Sequence, residues 1–185
     1  MTTYSYLIIL FILLDNYCSA YGYGYYSRHR RKYIDPAIAS FVKAPHLGSV
    51  WFTQRGRYIY INGSVSGLPP GGTVGVHIHR YGGLGNMCLE AGPHFNPFNQ
   101  RHGPRHGFPR HAGDLGNLRI GLDGVMKFDI FVTSYGLAKY NGFVGRSLVI
   151  HAYADDLGRN PDEGSRTTGN SGPRLACATI GYRGP

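Results

Sequence analysis

The chain has 185 residues, a length that suits one domain with tails, and 42% of them are apolar. That apolar share, with only 16% charged residues, excludes global disorder; 3 cysteines are too few for a disulfide-stapled miniprotein, and the 28 glycines keep no three-residue period, which excludes collagen. The 19 Lys and Arg against 10 Asp and Glu leave a net charge of +9, but no nucleic-acid-binding motif accompanies it, and no apolar run is long enough to span a membrane.

In chain order, residues 6–14 are nine consecutive apolar or aromatic positions, followed by Cys18-Ser19-Ala20. This is the pattern of a secretory signal peptide over residues 1–20, cut after Ala20. Removal would raise the net charge by one, since Asp15 leaves and no basic residue does. Residues 21–46 read as a flexible Tyr/Gly-rich and basic tail. Within it, Arg28, Arg30, Arg31 and Lys32 form a compact basic block around His29. The block reads either as a solvated tail or as a contact for sulfated polysaccharide, and Arg28-x-x-Arg31 also has the form of a dibasic processing site.

Residues 47–185 read as the folded domain. Period-two alternation predicts strands at 49–53, 58–65, 73–79, 125–132, 147–151 and 176–182, the first two joined by a turn at Gln54-Arg55-Gly56. Helical periodicity is not sustained over three turns anywhere. Many short strands with Gly/Pro-rich turns predict an all-β antiparallel sandwich or barrel. Two long connections, 80–114 and 152–174, carry ionisable residues, and connections of that length usually carry function.

The histidines concentrate there. His77 and His79 flank Ile78 on one predicted strand, so both imidazoles project from one face and Ile78 points to the core. His94, His102, His111 and Asp114 follow within 21 residues, separated by Gly and Pro that let the loop wrap an ion. Three imidazoles and a carboxylate suit a tetrahedral zinc, and a set made of protein ligands alone reads as structural. His151 ends a further strand, and imidazole-rich sites suit copper as well as zinc. His46 and His106 lie outside this set and read as solvated loop residues, as do Arg80, Arg101, Arg105 and Arg110. With Cys18 in the signal peptide, two cysteines remain, which suggests one disulfide in a secreted chain, or two buried thiols in a cytosolic one. Asn62-Gly63-Ser64 is the one N-glycosylation sequon, on a predicted strand.

Several blocks now converge. Val76-His77-Ile78-His79, Ala91-Gly92-Pro93-His94-Phe95-Asn96-Pro97, His111-Ala112-Gly113-Asp114-Leu115-Gly116-Asn117, Ala154-Asp155-Asp156-Leu157-Gly158 and Thr168-Gly169-Asn170-Ser171-Gly172-Pro173-Arg174-Leu175-Ala176-Cys177 stand in the order found in the copper/zinc superoxide dismutase family. The chain from about residue 47 resembles that family, in its secreted form. The resemblance implies a Greek-key barrel of about eight strands and dismutation of superoxide by copper redox cycling, with zinc structural. It implies copper on His77, His79, His94 and His151, and zinc on His94, His102, His111 and Asp114, His94 being shared and carrying a proton during turnover. Asp155 would link a copper histidine to a zinc histidine, Arg174 would stand beside the open copper position, and Cys88 would pair with Cys177.

Some positions depart from the family's habit: Arg80-Tyr81-Gly82-Gly83 follows the H-x-H pair where acidic residues are frequent, and Pro173 precedes Arg174 in place of a small residue. The 152–173 loop is acidic on balance, so long-range attraction of superoxide is expected to be spread over the surface. Gly82, Gly145 and the strand at 180–182 match regions that form the family's homodimer contact, although Tyr182 is bulky there. The competing reading is a non-enzymatic secreted metal-binding or matrix-associated protein of the same fold.

Overall fold

The computed structural model describes residues 36–133, 136–137 and 141–183. The segment 1–20 read as a signal peptide and the basic block at 28–32 lie outside the described residues. Eight strands form one antiparallel sheet: β1 (Ala37–Phe41), β2 (Leu47–Arg55), β3 (Tyr58–Ser66), β4 (Thr73–His79), β5 (Asp114–Arg119), β6 (Met126–Thr133), β7 (Ser147–His151) and β8 (Arg174–Tyr182). Their spatial order is β5-β4-β7-β8-β1-β2-β3-β6, and a bridge between Ile120 and Met126 brings the two edges together into a nearly closed Greek-key barrel. Among the described residues there is one α-helical segment, α1 (Glu163–Thr167), in the loop before β8, capped by Asp162, whose Oδ1 accepts from Ser165 N at 2.8 Å, and one 3-10 turn at Leu89–Ala91.

All six predicted strands are present, with β2 running on to Arg55 so that the turn follows at Gly56. Two strands are additional. Ala37–Phe41 falls inside the segment read as tail, yet it buries Ala37, Ala39 and Phe41 and pairs with both β2 and β8. Strand β1 therefore lies outside the bounds 47–185 read for the folded domain. Asp114–Arg119 is the other, polar in sequence but paired with β4.

The core follows from alternation. Val50 and Phe52 on β2, Ile59 and Ile61 on β3, Ile78 on β4, Ile150 on β7 and Ile180 on β8 point inward and are fully buried. Each contributes about 1.5–3 kcal/mol relative to exposure. On β4 this leaves His77 and His79 on the other face, as the spacing predicted. Antiparallel register then brings the functional segments together. β4 pairs with β7 through His77↔Val149, and a bulge between Gly75 and His77 sets His77 opposite Asp114. An isolated bridge pairs His79 with His94.

Candidate metal centre

Six histidines and two aspartates converge outside the barrel wall, beneath the two long loops, all buried: His77, His79, His94, His102, His111, His151, Asp114 and Asp155. Such groups are costly to bury unless each polar atom finds a partner. Most partners can be traced, and they fix the proton positions.

His79 Nδ1 donates to Gly92 O at 2.7 Å and His151 Nδ1 donates to Gly172 O at 3.0 Å, since a carbonyl can only accept. His77 Nε2 donates to Asp155 Oδ2 at 2.9 Å. With those protons committed outward, His77 Nδ1, His79 Nε2 and His151 Nε2 face inward as lone pairs. His79 Nε2 and His151 Nε2 lie 3.2 Å apart. Two lone pairs that close repel unless a cation stands between them. His77 Nδ1 and His94 Nε2 are buried without a hydrogen-bond partner. These four residues offer ligand atoms all within 4.8 Å of one another.

The second cluster adjoins the first. Asp114 Oδ2 is taken by the backbone N–H groups of Gly103 (3.1 Å) and His111 (2.8 Å). Around Oδ1 stand His102 Nδ1 at 3.0 Å, His94 Nδ1 at 3.1 Å and His111 Nδ1 at 3.2 Å, with His94 Nδ1 and His111 Nδ1 at 3.4 Å. A tetrahedral zinc with ligands at about 2.0–2.1 Å needs ligand–ligand edges of about 3.3–3.4 Å. The separations fit that ion closely. His102 Nε2 donates to Asp155 Oδ1 at 2.7 Å, so its Nδ1 is free to ligate, and this nitrogen is close to Asp114 but off the line of a hydrogen bond.

Asp155 joins the clusters, one oxygen to His77 and the other to His102. Its own backbone is held by Asn117, whose Oδ1 accepts from Asp155 N and whose Nδ2 donates to Asp155 O, both at 2.8 Å. Gly169 closes this corner with φ of +65°, and a Cβ there would stand 2.0 Å from Asp155 Oδ1. Outer acceptors of this kind fix tautomer and ring orientation. Gly92, Asn117 and Gly172 fall within the motif blocks quoted above, but the sequence assigned them no role, since two of them act through backbone carbonyls.

The electrostatics agree with cation binding. Burial, reinforced by neighbouring imidazoles, holds the affinities of His77 and His79 for protons well below the ordinary value. Burial also lowers His94, and lowers His151 to about 4. These rings are neutral, as ligands must be. At His102 burial is outweighed by Asp114 and Asp155, which raise it to about 9. Both carboxyls are held below the usual range despite burial, Asp155 by its bonds to His102 and His77, and Asp114 by those to His102, His111 and His94. The pair of carboxylates thus demands positive charge at the zinc-like cluster.

Arg174 stands at the rim, where its guanidinium donates to Cys88 O and, at 2.6 Å, to Gly92 O. Gly92 O is thus shared by Arg174 and His79. The Cys88–Cys177 disulfide is formed, and it ties this loop to β8 across 89 residues. Entropy arguments assign such a loop closure about 4–5 kcal/mol.

A groove of about 930 Å³ opens beside His94 and His111, lined by Arg80, Arg101, Arg146 and Arg166 with Glu163 as the one acid. Arg80 and Arg101 are exposed, as the solvated reading expected, and both line this groove. Arg105 and Arg110 differ from the solvated reading, being half-buried: Arg105 donates to Leu115 O at 3.2 Å, and Arg110 to His111 O at 2.8 Å and Thr133 O at 2.9 Å. His106 is exposed as expected, while His46 is half-buried.

A family model described as copper/zinc superoxide dismutase matches residues 46–180. The chain belongs to the copper/zinc superoxide dismutase family. It is 76% identical to an extracellular superoxide dismutase [Cu-Zn] of Schistosoma mansoni over 185 residues, all of both chains. It is 45% identical to an extracellular superoxide dismutase [Cu-Zn] of Haemonchus contortus over 151 residues, 82% of each. Among solved structures, the crystal structure of the clock protein EA4 superposes with a TM-score of 0.76 at 37% identity, covering 80% of this chain and 95% of that one. Membership in this family accounts for the paired clusters, one rich in imidazole and one completed by a carboxylate.

Proposed function

We infer that the chain is an extracellular superoxide dismutase, converting two superoxide anions and two protons into dioxygen and hydrogen peroxide. The observation that carries this reading is His94, with Nδ1 in the carboxylate-bearing cluster and Nε2 among the other three inward nitrogens. His77, His79, His94 and His151 would hold copper; His94, His102, His111 and Asp114 would hold zinc. Copper supplies the one-electron redox chemistry when bound, and zinc, which does not change oxidation state, supplies a fixed charge.

The chain's own residues do the rest. Gly92 O, Gly172 O and Asp155 keep three rings in the ligating tautomer, so none needs to reorient during turnover. His94 Nε2 is the atom placed to hold a proton and hand it to the reduced substrate, since Nδ1 is occupied on the zinc side. Arg174, anchored on two carbonyls, presents a fixed positive charge at the rim for a small anion. The arginine-lined groove raises the local concentration of anions near His94. Superoxide dismutases are the established example of such electrostatic steering. A protein that served only as a metal store or matrix component would have no use for the shared ring and Arg174 together.

Two association properties extend this reading. A homodimer would form through Gly82, Gly145 and the end of β8, which is supported by the exposure of Tyr81 (51%) and Tyr182 (49%) beside them. Sedimentation should then give twice the chain mass. Arg28, Arg30, Arg31 and Lys32 would hold sulfated polysaccharide, in which case deleting the tail abolishes salt-sensitive retention on heparin.

The activity is tested by metal analysis of purified protein beside a superoxide assay before and after copper removal. Copper and zinc both present, with activity lost on copper removal and regained on its return, is the expected result. Zinc alone with no activity would overturn the reading.

A further inference from the structure

The half of the barrel away from the histidines carries an unusual outer face. Register aligns its outward residues in rows: Ile38, Trp51, Asn62 and Asp129 form one, and Thr53, Tyr60 and Phe131 the next. Tyr60 and Phe131 stack with ring centroids 4.6 Å apart, and Tyr60 Oη donates to Asp129 Oδ1 at 2.9 Å. Arg183 lies over the Trp51 ring at 5.3 Å. Phe131 is 50% exposed, and Trp51 and Tyr60 are half-buried. Three aromatic rings are therefore at least partly open to solvent on one sheet face.

Asn62 stands in their midst. Trp51 is its direct cross-strand neighbour, Phe131 its diagonal one, and Tyr60 precedes it by two on the same face, all within side-chain reach. Among the described residues the Asn62 side chain makes no hydrogen bond, although Asp129 beside it accepts one from Tyr60. Asn62 is also the acceptor of the sequon Asn62-Gly63-Ser64. Asn62 thus stands half-exposed beside aromatic rings, at a glycosylation sequon, in a chain read as extracellular.

We propose that Asn62 carries an N-linked glycan whose first sugars lie on the Trp51–Tyr60–Phe131 face. In the secretory pathway the oligosaccharide comes from a lipid-linked diphosphate donor. The bond from sugar C1 to the diphosphate oxygen breaks, a bond from C1 to Asn62 Nδ2 forms, and the amide proton leaves with the lipid diphosphate. Transfer precedes sheet closure, because Asn62 in the finished barrel sits mid-strand between β2 and β6. Once attached, the sugars cover aromatic area with their apolar faces and offer hydroxyls to Asp129 and Thr53. The proposal rests on the extracellular reading.

Trp51 is the single tryptophan, so its emission reports this face alone. The full chain is secreted from eukaryotic cells, once with its own N-terminus and once behind an unrelated secretory leader, beside Asn62→Gln and Ser64→Ala. Treatment with a peptide N-glycosidase should increase the gel mobility of the wild type and leave both variants unmoved. It should also shift Trp51 emission to longer wavelength and lower the thermal midpoint, with copper-dependent activity unchanged. Wild-type protein carrying no N-glycan behind the unrelated leader overturns the proposal. So does a glycan whose removal leaves Trp51 emission where it was. Failure to reach the medium with the native N-terminus alone, while the led version is glycosylated, counts against the extracellular reading and supports the glycan.

Discussion

Strands β6 and β7 belong to one barrel and follow opposite rules. Along β6 buried and exposed residues alternate without exception, whereas all five residues of β7 are buried, Ser147 and His151 among them. β4 behaves like β7, with six of its seven residues buried and two of those histidines. Burial on both faces of a strand ordinarily demands continuous hydrophobic residues. Where it takes in imidazoles instead, the covering loops must supply partners, and here they supply Gly92 O, Gly172 O and Asp155. The alternating half thus stabilises the barrel, and the doubly covered half carries the chemistry.

The sharpest way to break this division is at Asp155, whose carboxylate bonds to both clusters. Asp155→Asn should lower metal affinity or activity by about 10–100-fold, because an amide offers one acceptor oxygen to two ring N–H groups. Metal titration and a superoxide assay would check it; an unchanged affinity would mean that His77 and His102 are held by packing alone.

Arg174→Glu comes next. Catalytic efficiency should fall about tenfold or more at low ionic strength while copper content stays intact, since the side chain bonds only to backbone carbonyls at the rim. An unchanged rate at low salt would remove Arg174 from the assigned role.

The pH dependence of metal-stripped protein separates the clusters. His77, His79, His94 and His151, the last lowered to about 4, stay neutral in the fold while unfolded imidazoles protonate near about 6.5. The unfolded state then binds more protons, so stability should fall as pH drops below about 6.5. His102, raised to about 9, has the opposite sign: its contribution is complete below about 6.5 and fades as pH rises through about 9. Denaturant midpoints across this range should therefore peak between the two limits, and a flat profile would contradict the burial argument.

The smallest effect is expected in the groove. Arg101→Ser with Arg166→Ser should reduce efficiency about two- to threefold at low salt, and the difference should vanish as salt screens the charges. A loss independent of salt would point to a contact rather than a field.

Most of this architecture was legible from the chain. The alternating strands and the H-x-H pair followed from period two, and the remaining ligands from a run of motifs in family order. Strand β1 was not legible, because Ala37 and Ala39 carry little hydrophobic signal and their pairing partner on β8 lies at the far end of the chain. Strand β5 hid for a different reason: Asp114 and Asn117 serve the site, so the strand lacks the apolar run that marks its neighbours. The arginine groove also escaped notice, since Arg80, Arg101, Arg146 and Arg166 come from separate segments that only the fold brings together.

The central claim is that one imidazole serves two ions. Diffraction from metal-loaded crystals, recorded on both sides of the copper and zinc absorption edges, tests it most directly. The account predicts a copper peak within bonding distance of His94 Nε2, His77 Nδ1, His79 Nε2 and His151 Nε2, and a zinc peak at His94 Nδ1, His102, His111 and Asp114. A single ion, or two ions with His94 bound to only one of them, would contradict it.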